Sequence, residues 1–173
     1  LSGQADLRLQ DYRDLSAQTD GPYDAVASIE MFEAVGRKYW PGFFAQLNTL
    51  LKPGGRACIQ SITIRDDLFA RYVDSTDFIQ QYFFPGGLLP SPTAFREQAE
   101  RAGLRIVNEL RFGQDYAETL RRWRLRFLVH EAAVRQLRFD GRFMRIWEFY
   151  LAYCEAAFAT GNTDVMQFTL EKA

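Results

Sequence analysis

Two carboxylates three residues apart, Glu30 and Glu33, follow the short apolar run Ala25–Ser28 within the stretch Tyr23–Gly36. A run of that length and composition reads as a strand buried on both faces. Ligands of open α/β sheets collect just beyond the carboxyl ends of the strands. Acids placed there are positioned to exchange a proton with something bound; solvated acids at a helix start, favoured by its dipole, are the equal alternative. Asp11 follows Leu7-Arg8-Leu9-Gln10 in a similar way. An acid at a strand's C-terminal end can accept hydrogen bonds from an adenine amino group or a ribose hydroxyl, or it can simply hold a turn. The only histidine, His130, has no acid or nucleophile tied to it. Cys58 and Cys154 lie far apart without metal-type spacing, as free buried thiols of a reducing compartment do. No metal site is expected.

The elements that must position these groups can be read in order. Gly21-Pro22-Tyr23 makes a turn into the first apolar run. Arg37–Leu51 is an amphipathic helix with Trp40, Phe43, Phe44, Leu47, Leu50 and Leu51 on one face and Pro41 in its first turn. Lys52-Pro53-Gly54-Gly55 ends it, and Arg56–Ile64 is a second buried strand. Strand, helix and strand in that order make a βαβ unit with parallel pairing. Arg65–Gln81 is polar and helical. Tyr82–Pro92 is apolar yet full of breakers, so it is either a loop packed on the core or a lid over an apolar ligand. Thr93 caps a helix through Ala102, Gly103 stops it, and Leu104–Phe112 is a third strand.

Asp115–Leu137 reads as one long helix with Tyr116, Leu120, Trp123 and Phe127 on one face. Gly141–Ala159 is another, striped by Phe143, Trp147, Tyr150, Cys154 and Phe158. Such stripes are core or the wall of a ligand cavity. Asp164–Leu170 is a final short strand. Arg121, Arg122, Arg124 and Arg126 make either a solvated face or a patch for lipid headgroups.

At 173 residues the chain is long enough for one domain with a real core. A net charge of −1 gives no bulk field to recruit nucleic acid, and none is expected as a partner. No apolar run approaches transmembrane length, and the start lacks the regions of a signal peptide. The chain therefore reads as cytoplasmic.

Several motifs carry a resemblance. They are Leu9-Gln10-Asp11-Tyr12-Arg13-Asp14-Leu15, Ser28–Gly36, Leu51-Lys52-Pro53-Gly54-Gly55, Phe84-Pro85-Gly86-Gly87-Leu88-Leu89-Pro90-Ser91, Gly113–Tyr116 with Thr119, Leu120 and Trp123, and Tyr150–Glu155. In this order they resemble the C-terminal part of the cyclopropane-fatty-acyl-phospholipid synthases, a class I S-adenosylmethionine-dependent methyltransferase family that includes the mycolic acid cyclopropane synthases. Lys-Pro-Gly-Gly is shared by many methyltransferases; the Phe-Pro-Gly-Gly-x-Leu-Pro-Ser loop with the Phe-Glu-x-Val-Gly turn is specific.

The resemblance implies a fold: α/β, a partial Rossmann-like sheet, mostly parallel with the last strand antiparallel. Helices cover both faces, and residues 115–160 form a helical insertion. Residues 1–173 are then the C-terminal part of one catalytic domain. No glycine-rich cofactor loop precedes Gly21, where Gly3 is the only glycine, and this stretch alone is expected to be inactive.

The resemblance also implies an activity. The double bond of an unsaturated phospholipid acyl chain attacks the methyl group of S-adenosylmethionine and closes to a cyclopropane ring. C-methylation without ring closure and a non-catalytic lipid-binding remnant are the alternatives. Glu33, Tyr116, Cys154 and Gln60 match residues around a bicarbonate ion that serves as base, with Gln60 standing where a histidine is common. Ala34 replaces another histidine, and Glu30 stands where glycine is frequent, an extra acid that makes an anion less welcome unless it points away. Asp11, Tyr12, Ser28 and Ile29 would meet the cofactor. Phe84, Pro85, Gly86, Leu88, Trp123 and Tyr150 would line the substrate lid and tunnel. The partners implied are the acyl chain, a transient membrane surface at the inner face, where the protein associates peripherally, and, as one option, a second copy of the chain.

Overall fold

The computed structural model describes residues 5–173; Gly3 lies outside them. Among the described residues, four strands form one sheet in the order β1-β2-β4-β3. They are β1 Tyr23–Ile29, β2 Leu51–Ile64, β3 Leu104–Arg111 and β4 Thr163–Lys172. Helices α1 (Phe32–Val35) and α2 (Trp40–Leu50) lie between β1 and β2 in sequence. Helices α3 (Asp66–Val73), α4 (Phe78–Tyr82) and α5 (Pro92–Arg101) lie between β2 and β3, and α6 (Gly113–Val129), α7 (Glu131–Gln136) and α8 (Gly141–Ala159) between β3 and β4. Strand β1 pairs parallel with β2, and β4 pairs antiparallel with both β2 and β3. The expected α/β sheet with a reversed last strand is the one that forms.

Residue type decides which side each element buries. Along β2, Ala57, Ile59, Ser61 and Thr63 are buried at period two. The α2 face expected from its spacing is the buried one: Trp40, Phe43, Phe44, Leu47 and Leu50 all lie in the core. Phe32 joins them at ring distances of 5.0–5.3 Å from Trp40, Phe43, Phe44 and Phe95. Phe95 of α5 stacks on Phe168 of β4 at 4.0 Å, tying helix to sheet. A second cluster of Ala117, Leu120, Leu151, Phe158 and Val165 fastens α6 and α8 to the sheet. Gly55 is obligatory, because a Cβ there would lie 2.8 Å from the Lys52 carbonyl oxygen and 3.2 Å from that of Asp24.

Four local expectations are corrected. Leu7–Gln10 is not a strand: it has no ladder partner, and Leu7 and Leu9 are fully exposed. Alternating residues without a neighbouring strand gain nothing from extension. Strand β1 forms but is not buried on both faces; it is the sheet's edge, with Ala25 and Ala27 exposed and Ile29 59% exposed. Ser91, not Thr93, caps α5, its hydroxyl accepting from the Ala94 N–H at 3.2 Å, because Pro92 already occupies the first turn. The single helix expected over 115–137 breaks at His130, whose ring nitrogen lies 2.8 Å from the Arg126 carbonyl oxygen. No helix among the described residues is long and apolar enough to cross a membrane.

Candidate active site

Glu30 ends β1 with φ 49°, the left-handed region that glycine adopts most easily. Its N–H still pairs with the Gln60 carbonyl at 2.9 Å, so the turn begins only after the strand register has been fixed. That geometry aims the side chain inward. Gln60 of β2 donates from Nε2 to Glu30 Oε1 at 2.9 Å, and the Tyr116 hydroxyl of α6 lies 3.2–3.3 Å from both Glu30 oxygens. Gln167 of β4 in turn donates to Gln60 Oε1 at 2.9 Å. An amide whose oxygen is engaged in this way must turn its NH2 toward Glu30.

Glu33 sits in α1, three residues on. Its Oε1 accepts the Ile62 N–H, and its Oε2 is buried without a partner. Burial pushes its carboxyl up, against the pull of the Ile62 hydrogen bond. The two acids thus have different surroundings. One is buried with an empty lone pair, and the other is fixed by two side-chain donors. Tyr116 and Tyr150 are both pushed up to about 12 and Cys154 to about 11, burial being the main cause in each case. All three carry their protons at neutral pH. In a Cys58→Ser background, Cys154 should react with iodoacetamide at pH 8 more than about a hundredfold more slowly than a free thiol. Its rate should climb about tenfold per pH unit as the pH rises toward the raised pKa. A rate at pH 8 matching free cysteine would overturn this picture.

Glu33, Tyr116, Cys154 and Gln60 are therefore brought to one place, as expected. Glu30, the extra acid, is at its centre. Gln167 and Phe83 were missed altogether. Two signals pointed to Glu30: its place just beyond the first apolar run, and an acid at a position where glycine is frequent. Removing Gln167 with leucine should free the Gln60 amide and lower kcat about five- to tenfold, the worth of one lost hydrogen bond, with KM little changed. Steady-state kinetics of the full-length enzyme would show this, and an unchanged kcat would deny Gln167 its positioning role.

The loop between α4 and α5 is pinned over this cluster. The Leu88 N–H donates to the Glu33 carbonyl oxygen at 2.9 Å, and Gln80 Nε2 to that of Gly87 at 3.1 Å. The inward ring is Phe83, stacked on Tyr150 at 4.3 Å, while Phe84, Pro85 and Gly86 face out, Phe84 being 56% exposed. Leu88 packs on the first core cluster. Trp123 is 53% exposed and joins neither core cluster, since the α6 stripe turns outward there.

Of the expected cofactor residues, Ser28 and Ile29 stand at the carboxyl end of β1. The Ser28 Oγ is buried without a partner, and Ile29 offers an open apolar surface. Both fit one wall of an adenosylmethionine site. Asp11 instead caps the 3-10 turn Tyr12–Asp14 and is paired with Arg13 through both oxygens, which holds its carboxyl down at about 2. Tyr12 packs edge-on against Phe43 at 5.6 Å. The residues fit a bicarbonate ion poorly, because the Glu30 carboxylate already takes up the Tyr116 and Gln60 donors and would repel a second anion. A concavity of about 520 Å³ lined by Arg96, Leu104, Ile106 and Glu109 contains none of these residues.

A sheet whose last strand runs against the other three, bearing a polar cluster beyond a strand's carboxyl end and beneath an aromatic-striped helical pair, defines a class I methyltransferase domain. The chain belongs to the mycolic acid cyclopropane synthetase family, whose model matches residues 1–168. The tuberculostearic acid methyltransferase UfaA1 of Mycobacterium tuberculosis is 46% identical over 168 residues, covering 96% of this chain and 38% of that protein. The cyclopropane-fatty-acyl-phospholipid synthase of Escherichia coli is 34% identical over 169 residues, covering 96% of this chain and 41% of that protein. The chain thus spans about two fifths of these relatives. The crystal structure of mycolic acid cyclopropane synthase CmaA1 complexed with SAH and CTAB superposes with a TM-score of 0.83 at 27% identity, covering 95% of this chain and 59% of that one.

Proposed function

We propose that this chain is the C-terminal part of the catalytic domain of a methyltransferase that alkylates a double-bond carbon in an unsaturated lipid acyl chain, with residues 115–160 as its helical insertion. Glu30 is its base. The observation that carries this reading is the Glu30 carboxylate, held by Tyr116 and Gln60 beside a wall of stacked aromatic rings. When bound, S-adenosylmethionine supplies an electrophilic methyl group. The chain's residues meet the needs that remain. Rings of Tyr150, Trp147 and Phe83 present electron-rich faces to a cation on the acyl chain. The same apolar walls keep out water that would trap it. Glu30 Oε2, which lacks the Gln60 hydrogen bond, takes the proton lost from the new methyl group.

Two products are consistent with that proton loss. Direct loss with bond closure gives the cyclopropane ring. Loss after a hydride has moved from the methylated carbon to its neighbour gives a methylene branch. A base fixed to the protein accepts a proton only from a carbon held against it, which leaves time for the shift. The 46% identical relative, named as a methyltransferase and not as a cyclopropane synthase, supports the branch as well. We therefore favour C-methylation without ring closure. Full-length enzyme incubated with S-adenosylmethionine and unsaturated phospholipid should yield a methylene-branched chain by mass spectrometry. A ring would reverse the choice of product, and the absence of any alkylated lipid would overturn the function.

A further inference from the structure

The hairpin of α6 and α8 has two ends. At one, Tyr116 and Phe158 meet edge to face at 5.0 Å beside the acid cluster. At the other, Phe127 and Phe143 approach to 6.3 Å, and Phe139 stacks on Phe143 at 4.2 Å. The two ends are about 16 Å apart along α6, at the rise of an α-helix. No described residue covers the far end: Val129 is 81% exposed, Leu137 71% and Phe139 44%. Positive charge is concentrated there too. Residues 121–146 hold eight arginines and two acids, in a chain of net charge −1. Arg121, Arg122, Arg124 and Arg135 are paired with Glu118, Glu155 and Glu131. Arg126, Arg138, Arg142 and Arg145 are exposed and form no salt bridge among the described residues. The Asp140 carboxylate accepts the Phe143 N–H at 2.8 Å and caps α8.

We propose that this tip docks on an anionic phospholipid bilayer, with Val129, Leu137 and Phe139 in the interfacial layer and the four unpaired arginines on lipid phosphates. Basic residues around exposed apolar ones are the combination such a surface selects. A second copy of the chain would bring like charge against this tip. A nucleic acid would satisfy the arginines and leave the apolar side chains in water. The proposal rests on the acyl-lipid reading above and deepens it, because the tip is joined to the site. Phe143, Trp147 and Tyr150 follow Phe139 as stacked rings at spacings of 6.0 and 5.1 Å, and Phe83 closes the row against Tyr150. An acyl chain lifted from the bilayer at the tip has a continuous row of aromatic rings to follow to the acid cluster.

The test is flotation of the full-length protein with vesicles of phosphatidylcholine alone or mixed with phosphatidylglycerol. Wild type should bind the mixed vesicles and release them as salt rises. Arg142→Gln with Arg145→Gln should weaken that binding about fivefold per arginine at low salt. Val129→Ser with Leu137→Ser should weaken it while keeping the salt dependence. Both variants should keep their melting temperature and their alkylation of detergent-dispersed lipid, which separates docking from chemistry. If wild type binds vesicles through the tip but alkylates no lipid, the docking surface stands and the acyl-lipid reading falls. Unchanged vesicle binding in both variants overturns the docking proposal. So does amide exchange showing residues 129–145 protected in the full-length protein without vesicles, or loss of self-association in the variants in place of vesicle binding.

Discussion

Replacing Glu30 with glutamine should lower kcat by about 10²- to 10⁴-fold, the usual contribution of a positioned base, while S-adenosylmethionine affinity measured by calorimetry stays the same. Glutamine keeps the shape and can still accept from Tyr116 and Gln60, but it cannot take a proton. A sharper result is expected from Glu30→Gly. Glycine tolerates the φ of 49° without strain, so the fold should survive. It also removes the negative charge that makes an anion unwelcome. The Glu30→Gly enzyme should be as slow as Glu30→Gln in buffer stripped of carbon dioxide and should regain activity when bicarbonate is added, with more ring in its product. Wild type and Glu30→Gln should ignore the addition. Full activity of Glu30→Gln would remove Glu30 from the chemistry.

The second large effect is structural. Phe32→Ala should cost about 3–5 kcal/mol, as truncating a buried phenylalanine does. Phe32 is fully buried and touches four other rings, so little can relax into the hole. Set against a total stability of about 5–15 kcal/mol, the loss should lower the melting temperature of the full-length protein by several degrees. Phe32 also lies between Glu30 and Glu33 in sequence, so activity should fall even well below the melting point. Phe32→Leu should recover most of both losses. Phe84→Ala, at an outward-facing ring, should change the melting temperature by less than about 1 °C for every 5 °C lost in Phe32→Ala. Equal melting temperatures for Phe32→Ala and wild type would refute the packing argument.

Helices α2 and α8 were legible in the sequence because an amphipathic stripe is local information: Trp40, Phe43, Phe44 and Leu47 point one way whatever else is present. Residues 56–64 of β2 were legible for the same reason, whereas Leu51–Gly55, read as the end of the helix, belong to the strand. The character of β1 was not. Whether Ala25 and Ile29 are covered depends on strands and helices beyond this stretch, and no run of residues encodes its own neighbours. The pairing of Asp11 with Arg13, two residues on, was not legible, because a motif does not state which neighbour a side chain meets. Among the site residues, Glu33, Gln60, Tyr116 and Cys154 were found through motif resemblance, and the fold brings them together. Glu30 was visible as an acid beyond a strand, but its direction was not, because that follows from a left-handed turn and from donors on β2 and α6. Gln167 was invisible: it belongs to the site only through its register opposite Gln60.

The place of β4 has a consequence for how the protein is made. It is the last strand in sequence, yet it lies between β2 and β3 and carries every hydrogen bond that joins them into one sheet. During translation, β1, β2 and their helices can leave the ribosome and pair, but β3 has no seat until residues 163–172 have emerged. The nascent chain must therefore hold the open edge of β2 exposed while about a hundred further residues are synthesised, an interval of several seconds or more at ordinary elongation rates. A premature stop anywhere in that interval removes the strand that joins β2 to β3. Nascent chains at this stage are the ones expected to depend most on chaperones.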